Sequence, residues 1–478
     1  MNVPLPFDSL TGTARSRRWF LRECGLGLGK IGLASLLTDA FAPRLRAELP
    51  KLPPHFPGKA KAVIHLFMAG APSQLELFDP KPELAKIDGK SLPPSVIGGQ
   101  RYAFIRSDAA VMAPRFKFAR HGQCGMPFSE LLPHTASIAD DLCRLGAVHT
   151  DQFNHAPAQI LFNTGFSQPG RPSIGSWAIY GLGAEAKDLP AFVVMSTGSG
   201  ISGGAANWSS GFLPTTYTGI RFRNQGSPIL DVNSPAGIDA LAQRQTLNLV
   251  KAFNDEQFGI NGDPETTTRT AAYELAFRLQ TSAPELMDLR RESKETLALY
   301  GCEADKPSFA RACLLARRLV ERGVRFVNIY HEGWDAHSDV VGNHTSNCRT
   351  TDQASAALVK DLKRLGMLDS TVVVWGGEFG RTPMVETNPS LGRALGRDHH
   401  PQAYTIWLAG GGIKGGLTHG ATDDFGFHPI ENDVDVYDVQ ATLLHCLGLD
   451  HERLTFDHQG RQFRLTDVHG KVIKAVLA

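Results

Sequence analysis

Two patterns of apolar residues alternate along the chain. The first is the short, nearly unbroken apolar run, at residues 62–68, 142–148, 191–195, 326–330, 371–375 and 404–409. Such a run has no solvent side and predicts a strand buried on both faces, as in a parallel sheet. The second is a recurrence every three or four residues, which predicts amphipathic helices over 309–320, about 352–365 and 435–447. A short helix is expected over 158–162. Another opens at Ser173, where the turn at 170–172 places a serine at the N-cap. Strand, helix, strand from Phe326 to Trp375 is a parallel crossover of right-handed sense. The loops after Tyr330 and after Trp375 therefore leave the same end of the sheet, the end where α/β proteins bind ligands.

Between these elements the pattern weakens. Residues 91–126 read as an irregular surface excursion, and 196–217, rich in Gly, Ser and Thr, as a long loop on the ligand side. A polar helical insertion is expected at about 238–300, broken at 261–264 and again near Pro284. Residues 415–427 read as a glycine-rich hairpin, and 461–476 as a short strand pair with a final helix.

The first 47 residues read as a leader, with the folded domain spanning 48–478. Ser16-Arg17-Arg18-Trp19-Phe20-Leu21-Arg22 matches the twin-arginine export consensus. The apolar run after it, 25–37, contains Lys30 and is a poor membrane span. The expected partner is thus the twin-arginine machinery, and the expected destination the periplasm or the cell exterior. Composition adds exclusions. The 478 residues carry a formal charge of +1, so no basic field argues for nucleic acid. The seven cysteines are scattered without CxxC spacing and read as mostly reduced, buried thiols.

The candidate chemistry stands just past the strand ends: Glu76, Asp151, His155, Asp335, His337 and Glu378, with Asp398 and His399 on a loop able to meet them. Carboxylates mixed with imidazoles suit a divalent ion such as zinc, manganese or calcium. Asp335, His337, Asp398 and His399 are expected to share one or two ions, with Glu378 nearby; the bland reading is loop residues bonded to backbone. Ser173, at a helix N-terminus, is the candidate nucleophile, against a reading in which it only caps the helix. Arg171 and Arg381 are candidates for gripping an anion, against plain salt bridges. The run 167–171 loosely fits the Ser/Cys-x-Pro-x-Arg pattern of formylglycine sulfatases.

In order, SRRWFLRECGLG, FMAGAPSQLELFDPKP, NTGFSQPGRPSIGSWAIYGLG, EGWDAHSD, GGEFGRTP, GRDHHP and AGGGIKGG resemble the twin-arginine-exported family known as domain of unknown function 1501. That family is assigned to the alkaline phosphatase and sulfatase-like superfamily. The resemblance implies a three-layer α/β/α sandwich with a mostly parallel sheet. It also implies metal-dependent hydrolysis of a sulfate or phosphate ester, small-molecule or polysaccharide, with a serine or a water on the metal as nucleophile. The sequence departs from the superfamily pattern twice. Phe379 follows Glu378 where an Asp-His pair is common, and Gln74 and Glu76 end the first strand without an aspartate. The other expectation is a binding or structural protein that keeps the fold without the chemistry.

Overall fold

The computed structural model describes residues 53–478 except 100, 101, 103, 199, 226, 230–233, 235 and 236. The leader reading lies outside the described residues. The apolar runs form the expected strands: β1 (Ala62–Ala69), β2 (Leu142–His149), β3 (Phe192–Thr197), β5 (Phe326–Glu332), β6 (Thr371–Gly376) and β9 (Tyr404–Ala409). Three short strands join them, β4 (Ile220–Arg221), β10 (Leu417–His419) and β11 (Val434–Asp435). Two more, β7 (Gly380–Asn388) and β8 (Arg393–His400), form a separate antiparallel ribbon.

The central sheet runs in the order β10-β2-β9-β6-β1-β5-β3-β4, with β11 also paired to β2. Only β9 is antiparallel to its neighbours; the other pairings are parallel. In β1, Leu66 sits between Ile329 and Trp375. Because side chains alternate across a strand, Ile64, Leu66 and Met68 point to one face. There they pack on α5 (Phe309–Glu321) and α6 (Val340–Arg364). Val63 and Phe67 point to the other, against α1 (His155–Thr164), α2 (Ile174–Leu182) and α7 (Val436–Cys446). The result is a mixed α/β sandwich of three layers around a mostly parallel sheet.

Several local expectations change. Helix α6 begins at Val340, earlier than the apolar period indicates, because Asp339 caps it: its side chain accepts the Gly342 N–H at 3.0 Å. The extra turns bury His344, Cys348 and Thr351, which carry no apolar signal. The insertion contains α3 (Ala240–Asn261) and α4 (Pro264–Met287), and Pro284 lies inside α4 without ending it. Of the hairpin expected at 415–427, residues 421–422 pair antiparallel with 429–431, whereas 417–419 extend the central sheet beside β2. The excursion at 91–126 contains part of a small ribbon, Phe118–His121 with Met126–Ser129. The chain ends in a single 3-10 turn, Lys474–Val476.

Candidate metal centre

At the carboxyl edge of the sheet, four segments meet. Helix α1 begins at His155, after the loop leaving β2. The loop leaving β5 carries Asp335 and His337. The turn leaving β6 carries Glu378, and the ribbon that follows supplies Arg381, Glu386, Asp398 and His399. Gly70, at the end of β1, allows a close approach. At φ +109 its N–H points to Glu378 Oε1 at 3.0 Å, and a Cβ there would lie 2.4 Å from the Asp335 nitrogen.

Asp335 Oδ1 is the meeting point. It lies 3.2 Å from His155 Nε2, 3.2 Å from His337 Nε2 and 3.4 Å from His399 Nε2. These four ligand atoms fall within 4.8 Å of one another. The other nitrogen of each imidazole is committed behind the cluster. His155 Nδ1 donates to Glu378 Oε1 at 2.7 Å, His337 Nδ1 to Glu386 Oε2 at 2.5 Å, and His399 Nδ1 to the Phe153 carbonyl at 2.7 Å. An acceptor-only partner fixes the proton on Nδ1 and turns the Nε2 lone pair inward, the arrangement metal-ligating histidines use. His155 Nε2 is buried yet makes no hydrogen bond. Three convergent imidazoles and one carboxylate, one of them with an orphaned nitrogen, fit a divalent ion of the zinc type.

The electrostatics favour a cation. Burial opposes charge on His155, but the neighbouring carboxylates of Asp335 and Glu378 outweigh burial and push it up to about 9. Burial would raise Asp335, and the bonds from His155 and His399 with the Arg381 guanidinium hold it far below the usual carboxylate range. His399 is pulled down to about 4 by burial, against its bond to Asp335. Three of the four ligand side chains are nearly buried, whereas Asp335 is 42% exposed, so the cluster opens on the Asp335 side.

Of the residues singled out from sequence, His155, Asp335, His337 and His399 come together here. Asp398 belongs to a neighbouring group that shares His337 with the first and could also hold an ion. It groups with His337 and Glu386 and accepts the backbone N–H groups of His399 at 2.7 Å and Phe104 at 3.2 Å. Glu378 stands behind the cluster as the partner of His155, Gln159 and Gly70, with its side chain fully buried. Arg381 is buried too. Its guanidinium serves the carbonyls of Gly70, Ala71 and Arg397 and holds Asp335 Oδ1 at 2.6 Å, which leaves no face for a substrate anion. Arg171 pairs with Asp467 at 3.0 Å and stacks 4.1 Å over Phe166. Ser173 is fully buried and caps α2, its Oγ 2.9 Å from Ser176 Oγ. Glu76 is taken up by Arg397 at 2.6 Å, both side chains fully buried, and Asp151 is exposed.

His155 carried a signal, since it follows β2 as His337 follows β5. Glu386 carried none, lying 49 positions from the imidazole it orients.

A family model described as "Protein of unknown function (DUF1501)" matches residues 60–477. No curated protein matches the sequence. Among solved structures, the lipoteichoic acid synthase LtaP from Listeria monocytogenes is similar at 9% identity and a TM-score of 0.37, over 88% of this chain and 78% of that one. The PsFucS1 sulfatase from Pseudoalteromonas sp. is similar at 13% identity and 0.36, over 82% and 68%. The C-terminal periplasmic domain of EcEptC from Escherichia coli, in complex with Zn, follows at 8% identity and 0.34, over 87% and 96%. At these values the likeness assigns no residue of this chain a role.

Proposed function

The chain belongs to the DUF1501 family, whose description names no activity, and from that premise we propose that it is an exported, metal-dependent hydrolase of sulfate or phosphate esters. The observation that carries this reading is the convergence of three imidazole Nε2 atoms on Asp335 Oδ1, each imidazole oriented from behind. His155, Asp335, His337 and His399 would hold one divalent ion. When bound, such an ion activates a water and polarises an ester oxygen. Glu378, Glu386 and the Phe153 carbonyl keep the rings aimed. Arg381 fixes Asp335 so that its exposed flank remains the approach for substrate. The nucleophile in this reading is water, because Ser173 is fully buried as a helix cap. Export through the twin-arginine machinery, carrying the folded chain to the periplasm or exterior, belongs to the same proposal.

The test is elemental analysis of the full chain from an export-competent host, together with turnover of 4-nitrophenyl sulfate and phosphate. One zinc-type ion per chain is expected, dropping at least tenfold in occupancy for His155→Ala and His399→Ala. Wild-type protein with no stoichiometric ion would end the proposal. A second reading, a binding protein without turnover, is favoured by the commitment of Arg171 and Arg381 to protein partners. Ion binding without hydrolysis of either ester class would select it.

A further inference from the structure

Two partly exposed phenylalanines stand next to the metal cluster. Phe153, in the loop entering α1, is 56% exposed, and Phe104 is 36% exposed. Both flank His399. The Phe153 carbonyl accepts from His399 Nδ1 at 2.7 Å, and the Phe104 ring stands edge-on to the imidazoles of His399 and His337, at 6.1 and 5.3 Å. Both are held by their backbones to the cluster's surround, since the Phe104 N–H donates to Asp398. One face of Phe104 is occupied by the Arg393 guanidinium, 4.6 Å from the ring centroid, which is itself tied to Glu386 at 2.7 Å. The Phe104 ring is thus held beside the cluster, the Phe153 backbone is tied to His399, and both residues are left partly open to water.

Exposed phenylalanine contributes little to folding, and large apolar side chains at the mouth of a polar site mark ligand contact. A bare inorganic anion makes no use of two phenyl rings. A flat ring rich in C–H groups does, by stacking and by removing apolar area from water.

We propose that Phe104 and Phe153 form a platform for the organic half of the substrate, and that this half carries a flat C–H-rich ring, an aryl group or the apolar face of a pyranose. The identity of the reacting ester rests on the hydrolase reading; the platform itself does not.

The test uses the full chain loaded with zinc, and titration calorimetry with phenylphosphonate and methylphosphonate. The wild type should bind the phenyl compound about tenfold more tightly, and Phe153→Ser and Phe104→Ser should each bring the ratio towards one. The ratio is the readout, so a variant that loosens the ion weakens both ligands and leaves it unchanged. A wild-type ratio near one, or a ratio untouched by both substitutions, overturns the platform. If neither phosphonate binds, the hydrolase reading fails, and the neutral probes benzyl alcohol and methyl β-glucoside decide by saturation-transfer NMR. A signal from either that disappears in Phe153→Ser supports the platform, and the responding probe distinguishes aryl from pyranose. No signal from either in the wild type overturns it.

Discussion

Ser173 is buried, and its hydroxyl is engaged at the start of its own helix. Its Oγ accepts the Ser176 N–H at 3.4 Å, its own N–H donates to the Ser209 carbonyl at 2.9 Å, and the residue has no exposed surface. A nucleophile needs an approach for its substrate, and a buried cap has none. Ser173→Ala should therefore cost about 0.5–2 kcal/mol in urea denaturation and leave the bound metal at its wild-type level. Loss of the ion from a folded Ser173→Ala protein would return this serine to the centre. Asp335 and His337 were legible as a pair because both closely follow a strand, where the sheet directs whatever comes next to its carboxyl edge. The roles of Glu378 and Arg381 were not legible. Sequence places each near the edge, but only burial shows that one orients an imidazole and the other anchors a loop.

The element that completes the site is the β7–β8 ribbon. It reads as loop in sequence because charged residues interrupt it, yet Arg381, Glu386, Arg397 and Asp398 are all buried. Asp335, His337, Arg393, Glu76 and nearby backbone groups satisfy them, which is how such groups are tolerated inside a protein. The ribbon lies so close to the β5 loop that a Cβ on Gly396 would fall 2.0 Å from the backbone carbon of His337. Backbone cannot swing aside as a side chain can. Gly396→Ala is expected to displace His337 and weaken zinc binding at least tenfold, read by calorimetry. The control is Gly259→Ala on α3, where an added Cβ meets nothing within 4 Å and zinc affinity should stay at the wild-type value. Equal affinities for the two variants would show that the ribbon does not set the His337 position.

For the whole molecule, the interior holds imidazoles that must remain neutral. Burial pulls His65 down to about 3, against a hydrogen bond to Asn328. His344 is brought to about 3 by burial and by the nearby Arg381 and Arg397 guanidinium groups. Both folded values lie below the ordinary 6.5, so the unfolded chain takes up these protons first. Their contribution to stability is present above about pH 6.5 and is lost as pH falls from there towards 3. The urea midpoint should drop between pH 7 and pH 4.5, and His65→Leu should reduce that drop; an undiminished drop would clear His65 of the effect. By itself the sequence determined the six long strands of the central sheet and the helices packed on them, the parallel crossover from β5 to β6, and the edge at which the chemistry gathers. Each of those follows from short-range periodicity and the handedness of the connection. The tertiary structure alone decided which side chains face the cluster and which stand behind it. It brought His155 to the Asp335 cluster, set Glu378 behind that imidazole, and grouped Asp398 with His337 and Glu386. The reason is physical: the contacts that orient these groups join distant residues, as when the Gly70 N–H meets Glu378 across 308 positions. Local pattern holds no record of an encounter that exists only once the sheet has formed.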